Sequence, residues 1–344
     1  MGQFVGLDVS LHETAVCAVD ADDGHVIWRG SCGSTPEAIA ATVGEHAPTV
    51  VRLGLETGTL SPWLARGLEA LGLPVVCLDA RQAKAVLSLR INKSDANDAH
   101  GLAELVRSGW YRQIQVKSQA AYQLQALVGA RAQLVKIKVD LMNQMRGLLR
   151  TFGLVVGKGG GGKFDERVRE LIAEDGALRT PIEALLCSWR QVCEQIGVLD
   201  RRLVAVAKRS ATIRRLMTVP GIGVVAATAY AAMIDDPSRF ARSASVGAYV
   251  GLTPRRHQTG ELDYTGRISK RGDPLVRSYL YEAAGVVLHR MRRPSWLKSW
   301  GRKLVNRLGF KKAAVAVARK LAVILHRIWI DGSRFAWSRE QATV

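Results

Sequence analysis

The sequence has few cysteines, and they form no recognisable framework. Its 344 residues include five cysteines, none spaced as CxxC, and the odd number leaves no complete set of disulfide pairs. This argues against a disulfide-stabilised fold and predicts a reducing compartment, in which the thiols are mostly small core residues. The five are Cys17, Cys32, Cys77, Cys187 and Cys193.

Long hydrophobic runs are also missing. Clean apolar stretches such as Val224–Ile234 are too short for the ~20 residues that a membrane-spanning helix needs. No signal-peptide pattern precedes the first predicted strand. We therefore expect a cytoplasmic protein with no membrane partner.

Acidic residues are scarce relative to basic ones. The chain has 49 Lys and Arg against 30 Asp and Glu, and its formal net charge is +19. Residues 251–344 alone contain 20 basic and 6 acidic residues, so most of the excess lies in this segment. Such an excess predicts a phosphate-rich partner, with nucleic acid as the default. A merely basic, soluble surface is the alternative.

A complete nucleotide-binding loop is not found. Residues 157–164 read GKGGGGKF, which is close to the phosphate-binding pattern GxxxxGK[ST]. Phe164 stands where a hydroxyl should bind magnesium, and no strand leads into the segment. We interpret residues 157–163 as a flexible glycine hinge between two helices, and we expect no ATP requirement.

Strands and helices alternate through the first part of the chain. Residues 3–28 predict two or three strands with a hairpin turn at DADDG, and further strands follow at Val50–Leu55 and Pro74–Leu78. Helical patterns separate and follow them. The predicted fold class is therefore α/β plus α, with an α/β domain containing a mixed sheet at residues 1–112.

Four carboxylates in this domain form a candidate metal site. Asp95 and Asp98 lie three residues apart at the predicted start of a helix, and therefore on one face of it. The alternative is a helix cap, with Ser94 or Asp95 as the N-cap and Asp98 as a first-turn acid. Asp8 and Glu56, which end predicted strands, favour the metal site. Oxygen ligands without His or Cys suit one or two Mg²⁺ ions.

Two long amphipathic helices follow the α/β domain. Apolar residues recur at steps of three and four through residues 119–150 and again through 182–206. This pattern predicts a helical or coiled-coil arm spanning residues 113–212, with the glycine hinge at its turn. Packing within one subunit is the alternative to an arm that joins two copies.

Residues 213–344 predict a mainly helical domain with phosphate-binding features. Pro220 to Gly223 read PGIG between two apolar helical segments, which resembles a helix-hairpin-helix. Its glycines, Gly221 and Gly223, would let backbone amides approach a DNA phosphate. A plain turn between helices is the alternative. Two basic turns follow, and cations at both predict a phosphate-handling site: Arg255, Arg256, Lys270 and Arg271.

The chain ends in two predicted basic helices, at residues 284–308 and 311–330. Three tryptophans lie on them, and core packing is a better explanation for them than stacking on nucleic-acid bases. They are Trp296, Trp300 and Trp329.

Six motifs in order resemble the transposases of the insertion sequence 110 family, which are bridge-RNA-guided DNA recombinases. They are GLDVS with Asp8, LETG with Glu56, KSDANDAHGLAE with Asp95 and Asp98, then VPGIG, GLTPRR and GRISKRGD. The resemblance implies an RNase H-like (RuvC-like) N-terminal domain with a DEDD acid set, a helical arm and a C-terminal transposase domain. It also implies donor and target DNA, a guide RNA, a dimer or tetramer, and a bacterial, nucleoid-associated protein.

One position departs from the family pattern. The resemblance implies a nucleophilic serine just after the paired arginines and before a glycine, where this chain has Thr259. Threonine keeps the hydroxyl but adds a methyl group that crowds in-line attack. Three explanations stay open: Thr259 is the nucleophile, a nearby serine such as Ser269 replaces it, or this copy is impaired.

The expected activity is DNA cutting and rejoining by Mg²⁺-assisted transesterification, through a covalent protein–DNA intermediate. Two alternatives are kept. One is a metal-dependent, structure-specific nuclease in which water attacks, and the other is a DNA-binding scaffold without catalysis.

Overall fold

The computed structural model describes residues 2–88, 92–158, 162–173 and 176–338. It divides into two compact units, residues 1–117 and 118–344. Part of the predicted glycine hinge, residues 159–161, lies outside the described residues. Within the described part, no helix is both long and apolar enough to cross a membrane.

The first unit is built on a six-stranded mixed sheet. Its strand order is β3-β2-β1-β4-β5-β6. The first three strands form an antiparallel meander, β4 and β5 run parallel to β1, and β6 is antiparallel to β5. The bounds are β1 Gln3–Val9, β2 Glu13–Asp20, β3 Val26–Gly33, β4 Val50–Glu56, β5 Val75–Leu78 and β6 Gln113–Ile114. The mixed α/β prediction is confirmed, and residues 3–28 hold three strands, the third extending to Gly33.

Helices cover both faces of this sheet because strand residues alternate in direction. Val5 and Leu7 of β1 are fully buried with Ile39 and Leu64, which lie on helices α1 and α2. The opposite face of β1 receives α4. The helices are α1 Pro36–His46, α2 Ser61–Ala70, α3 Ala80–Leu87 and α4 Asp95–Ser108.

The second unit begins with two long antiparallel helices. Arg131 of α5 pairs with Asp200 of α7, with 2.5 Å between Nε and Oδ1. The two helices and the short α6 share a separate distal core that includes Phe164, Leu186 and Trp189. Both predicted long helices are therefore present. Their bounds are α5 Gln119–Thr151, α6 Gly162–Leu171 and α7 Gly176–Arg209.

The rest of the second unit is mainly helical. The apolar α9 is almost wholly buried among the surrounding helices, and the Tyr230 hydroxyl donates a hydrogen bond to the Ala322 carbonyl within this core. The helices are α8 Ala211–Leu216, α9 Val224–Ile234, α10 Ala244–Tyr249, α11 Pro274–Gly285, α12 Trp296–Leu308 and α13 Phe310–Asp331, and the strands are β7 Pro254–Thr259 and β8 Leu262–Ile268.

Two expectations for this region are wrong. The predicted helix over residues 284–308 is interrupted, because a π-helical turn at Val286–Arg290 is followed by an extended break before α12. Pro294 disfavours helical backbone at the residue before it, and Ser295 then caps α12 by accepting a hydrogen bond from the Lys298 amide. The segment of the two basic turns, in which no strands were predicted, is an antiparallel hairpin of β7 and β8, and Arg255 and Arg256 lie on β7.

Candidate active site

Helix α4 crosses strand β1 at very close range. A Cβ atom built on Gly6 would lie 2.1 Å from the Ala99 carbonyl oxygen and 2.3 Å from the Ala103 amide nitrogen. On the neighbouring strand, a Cβ on Gly54 would lie 2.5 Å from the Val106 side chain. Gly6 therefore lets the helix backbone rest directly on β1, and Gly54 leaves room for the Val106 side chain.

Asp8 and Glu56 stand at the same end of these two strands. Strands β1 and β4 are parallel, and Leu7 pairs with Leu55, so the next residue on each strand is one of the acids. Each acid comes two residues after a glycine that faces α4. Because strand side chains alternate, both carboxylates belong to the face that α4 covers.

The first turn of α4 supplies the other two carboxylates. Ser94 is the N-cap, and its hydroxyl accepts a hydrogen bond from the Asn97 amide. Asp95 and Asp98 are first-turn acids: Asp95 lies one turn before Ala99, which meets Gly6, and Asp98 directly precedes Ala99. The cap interpretation of this segment is therefore correct for Ser94, and it leaves both aspartates available at the strand ends.

The electrostatics of Asp8 and Glu56 reflect the carboxylates around them. Burial, together with the charges of Asp98, Asp95 and Glu56, raises the pKa of Asp8 to about 6, although Lys93 opposes the shift. Burial and the charge of Asp98 likewise raise the pKa of Glu56. The cluster therefore carries more negative charge than its own lysines balance, and a bound cation would relieve this repulsion.

The donor set fits magnesium. The four groups are all carboxylates, and hard oxygen ligands are those that Mg²⁺ prefers. The residues that could hold it are Asp8, Glu56, Asp95 and Asp98.

A second acidic group lies in the β2–β3 turn, and sequence reasoning assigned it no site. Asp20, Asp23 and His25 each offer one ligand atom within 4.8 Å of the others. Their oxygens already serve the turn: Asp23 accepts hydrogen bonds from the His25 amide and ring, and Asp20 accepts one from the Asp22 amide. We read this group as a hairpin-stabilising turn, because its hydrogen bonds account for the arrangement.

Thr259 lies at the tip of the β7–β8 hairpin in the second unit. It pairs with Leu262 across a two-residue turn that begins at Gly260, whose φ is +52°. Its side chain is exposed, as are most residues of the hairpin. His257 lies two residues earlier on the same strand, stacked on Tyr264 with the ring centroids 5.3 Å apart.

The four predicted phosphate-binding cations lie on this hairpin or directly after it. Arg256 forms an ion pair with Asp263 at 2.6 Å, and Arg255 donates a hydrogen bond to the Ser269 carbonyl. Lys270 and Arg271 lie on the turn after β8, where a Cβ on Gly251 would lie 2.0 Å from the Arg271 carbonyl oxygen. This contact fixes the base of the hairpin. Ser269, the alternative nucleophile, lies at that base and not at the tip.

Gly221 and Gly223 occupy different environments in the predicted helix-hairpin-helix. Gly221 has a φ of +80°, and a Cβ there would lie 2.7 Å from the Ala283 carbonyl oxygen on α11. Packing therefore explains this glycine without a ligand. Gly223 is the N-cap of α9, and a Cβ built on it meets nothing within 4 Å.

Of the three tryptophans, two behave as expected. Trp296 donates a hydrogen bond from Nε1 to the Ala336 carbonyl, and Trp329 packs on the core of the second unit. Trp300, on α12, is 37% exposed and is therefore not a core residue.

Comparisons with known proteins assign the chain to a family. A family model described as "Transposase IS116/IS110/IS902 family" matches residues 213–300, and a second, the "Transposase" model of IS110 DEDD type, matches residues 5–153. The "Transposase for insertion sequence element IS1111A" of Coxiella burnetii is 32% identical over 94% of this chain and 88% of its own. The chain belongs to the IS110 family of transposases.

Other relatives agree with this assignment. The transposase is 30% identical to a "Probable family 20 transposase" of Pseudomonas aeruginosa, over 93% of this chain and 95% of that one. It is also 31% identical, over 33% of its length, to a "Pilin gene-inverting protein" of Moraxella lacunata. The suspected family is therefore confirmed: the transposase is a DNA-cleaving and rejoining enzyme of an insertion sequence. Membership implies DNA as a partner, a RuvC-like N-terminal fold and a divalent metal site.

Proposed function

We propose that this transposase cuts and rejoins DNA by Mg²⁺-assisted transesterification, through a covalent protein–DNA intermediate. The observation that carries the proposal is the close crossing of α4 over β1, with Ala99 against Gly6. This crossing supports a site in which the first turn of α4, with Asp95 and Asp98, meets the strand ends that bear Asp8 and Glu56. All four acids fall inside the segment that matches the DEDD transposase model.

The four carboxylates hold one or two Mg²⁺ ions in this proposal. Bound magnesium would neutralise charge on the scissile phosphate in the transition state. A bound cation would stabilise the ionised form of Asp8, because burial and three neighbouring carboxylates together raise the pKa of this residue. Lys93 supplies only part of the balancing charge.

The Thr259 hydroxyl is the proposed nucleophile. Its oxygen attacks the phosphorus, the bond from phosphorus to the 3′-oxygen breaks, and the hydroxyl proton ends on the released 3′-hydroxyl. A 3′-hydroxyl from the partner strand then reverses the exchange and frees Thr259. One phosphodiester replaces another at each step, so no ATP is needed. The exposed turn supports this role, because the tip of a hairpin can reach a DNA backbone without displacing protein.

The cations around the hairpin would hold the DNA phosphates. Arg255, Lys270 and Arg271 carry exposed side chains, and the ion pair of Arg256 with Asp263 is also exposed. Exposed ion pairs contribute little to stability, so Arg256 can exchange Asp263 for a phosphate at little cost. Gly223, at the N-terminus of α9, is a further phosphate contact in this proposal. Gly221 allows the preceding turn to pack closely against α11.

A guide RNA and a second copy of the chain complete the proposal. Target choice by a bridge RNA rests on the family resemblance alone. Association through the arm rests on exposed apolar side chains along α5 and α7. Val139, Val198 and Val204 are 45%, 41% and 43% exposed, and such residues are suited to a coiled-coil contact between subunits of a dimer or tetramer.

A trapping experiment tests the nucleophile. The transposase is incubated with Mg²⁺, the non-coding RNA encoded beside its gene and a nicked suicide substrate. The protein–DNA adduct is then separated under denaturing conditions. Thr259→Ala should abolish the adduct, because no hydroxyl remains. Thr259→Ser should keep it, and a large gain over the natural protein would mark this copy as impaired.

The same experiment separates the rivals. Cleavage without any adduct would support a nuclease in which water attacks, and an adduct unchanged by Thr259→Ala would exclude this residue, with Ser269→Ala as the next variant. Asp8→Asn should stop cleavage while DNA binding persists. Undiminished DNA processing by Asp8→Asn would refute the metal site.

A further inference from the structure

Helix α12 presents a wholly polar and basic face to solvent. Leu297 and Gly301 are buried on its inner side, where a Cβ on Gly301 would lie 2.7 Å from the Leu288 side chain. The outer side carries five exposed residues, each of which can donate hydrogen bonds: Ser299, Arg302, Lys303, Asn306 and Arg307.

No acid balances this face along the sequence. From residue 283 to residue 330 the chain contains twelve Lys and Arg and no Asp or Glu. In three dimensions Arg302, Lys303 and Arg307 make no ion pair with any residue that the structure describes. Three unbalanced cations and two neutral donors on one helical face are complementary to a polyanion.

The helix is also held firmly. Ser295 caps it, Trp296 donates a hydrogen bond from Nε1 to the Ala336 carbonyl, and α13 packs along its inner side after a single connecting residue, Gly309. The outer side chains therefore project from a rigid support. A ligand binding there does not have to order the helix first.

We propose that the outer face of α12 docks in the major groove of duplex DNA. Thirteen residues of helix extend about 20 Å, and the major groove, about 12 Å wide, admits one α-helix. Arg302, Lys303 and Arg307 each reach a phosphate. Ser299 and Asn306 hydrogen-bond to phosphates or bases.

A membrane surface fits this helix less well. A helix that lies on a bilayer inserts its apolar side, and the apolar side of α12 is buried in the protein. The larger apolar groups with notable exposure, Trp300 and Leu308, stand at the edge of the face and at the helix end. The proposal is independent of Thr259 and of the four acids, since neither lies on α12.

Duplex binding by the full-length protein tests the proposal. Fluorescence anisotropy with a labelled 30-base-pair duplex is measured over a range of salt concentrations for the wild type and for R302Q/K303Q/R307Q. Removal of three phosphate contacts should lower the slope of log K against log salt by about 2.7 and weaken binding by about 10- to 100-fold at low salt. The thermal midpoint should not change, because the three side chains are exposed.

A matched triple variant shows whether position or charge alone matters. K136Q/R201Q/R202Q removes three exposed cations from α5 and α7 and should bind almost as the wild type does. Equal losses in both triple variants, or a wild-type slope for the α12 variant, would overturn the proposal.

Two further measurements identify the ligand and the groove. Methyl green, which occupies the major groove, should reduce the difference between wild type and α12 variant, whereas netropsin in the minor groove should not. The opposite result overturns the groove assignment. If the α12 variant loses binding to phosphatidylserine vesicles and keeps its affinity for the duplex, the face is a lipid-binding surface and the proposal fails.

Discussion

At the scale of single residues, Asp8 is in an unfavourable environment when no cation is bound. Burial of its carboxylate, followed by the charges of three other carboxylates, raises the pKa of Asp8 to about 6. A charged group placed in this way lowers the stability of the metal-free protein. Such stored repulsion is typical of functional sites, where stability is lost in exchange for binding or catalysis.

The first prediction concerns pH. Because the folded pKa of Asp8 lies above its unfolded value of 3.8, the folded protein gains stability as pH falls through 6 towards 4. In EDTA, Asp8→Asn should therefore be more stable than the wild type at pH 7.5. The advantage should shrink towards pH 5, as urea unfolding at several pH values would show. An advantage that grows as pH falls contradicts the assignment.

The second prediction concerns Gly6. An alanine there would place its Cβ 2.1 Å from a backbone oxygen of α4, which cannot rotate away as a side chain can. Gly6→Ala should cost about 1–3 kcal/mol of unfolding free energy and most of the activity, with all four acids present.

Gly44→Ala is the matched control. Gly44 lies within α1, where a Cβ meets nothing within 4 Å, so alanine should stabilise the protein by about 0.5–1 kcal/mol. Similar destabilisation by the two variants would show that the contact with α4 is not what limits position 6.

Among secondary structure elements, those with a sustained pattern are predictable from the sequence. The apolar steps predicted helices at residues 119–150 and 182–206. The structure has α5 at Gln119–Thr151 and α7 at Gly176–Arg209, so α7 begins six residues earlier than predicted. The β7–β8 hairpin was missed for the opposite reason. Its strands are exposed on both faces, so no alternation of apolar and polar residues marks them. The break before α12 was signalled by Pro294, which the helical spacing around it obscured.

The third prediction concerns the distal core of the arm. Phe164 is 1% exposed and packs on Trp189, with ring centroids 5.5 Å apart. Phe164→Ala should remove about 3–5 kcal/mol of local stability, seen as faster amide hydrogen exchange in α6 and the adjoining ends of α5 and α7. Phe152→Ala, at a position that is 58% exposed, should leave exchange nearly unchanged. Equal effects would show that Phe164 is not a core residue.

At the scale of the whole molecule, the chain consists of two units with separate cores. The sheet and its helices form the first, and the arm and C-terminal helices form the second. The acid cluster belongs to the first unit, and Thr259 belongs to the second. Ligands of the two sites should therefore stabilise different parts of the protein.

The fourth prediction follows from this division. Differential scanning calorimetry should resolve two transitions, and Mg²⁺ should raise the temperature of the one that belongs to residues 1–117. Asp8→Asn should abolish that increase and leave the other transition where it was. A magnesium shift confined to the other transition would place the principal metal site elsewhere.

The order of the motifs was sufficient to predict the family, and the alternation of strands and helices predicted the α/β class. The grouping of the four acids into one metal site stays a prediction. The tight fit between α4 and β1 was not predictable, because a glycine in an apolar strand has many possible causes. Only the three-dimensional structure shows that Gly6 faces a helix backbone and that Gly221 faces α11. These glycines matter because they have no side chain. Sequence patterns of reactive side chains therefore do not reveal them.

The contact at Gly6 has a consequence for the reading of genomes. Two simple checks for an intact copy of an insertion sequence are an open reading frame and the presence of the acidic residues. A copy in which Gly6 had become alanine would pass both checks, although its helix could no longer rest on the sheet. A search for functional copies should therefore check the glycine as well as the acids, since one added methyl group at position 6 can abolish transposition.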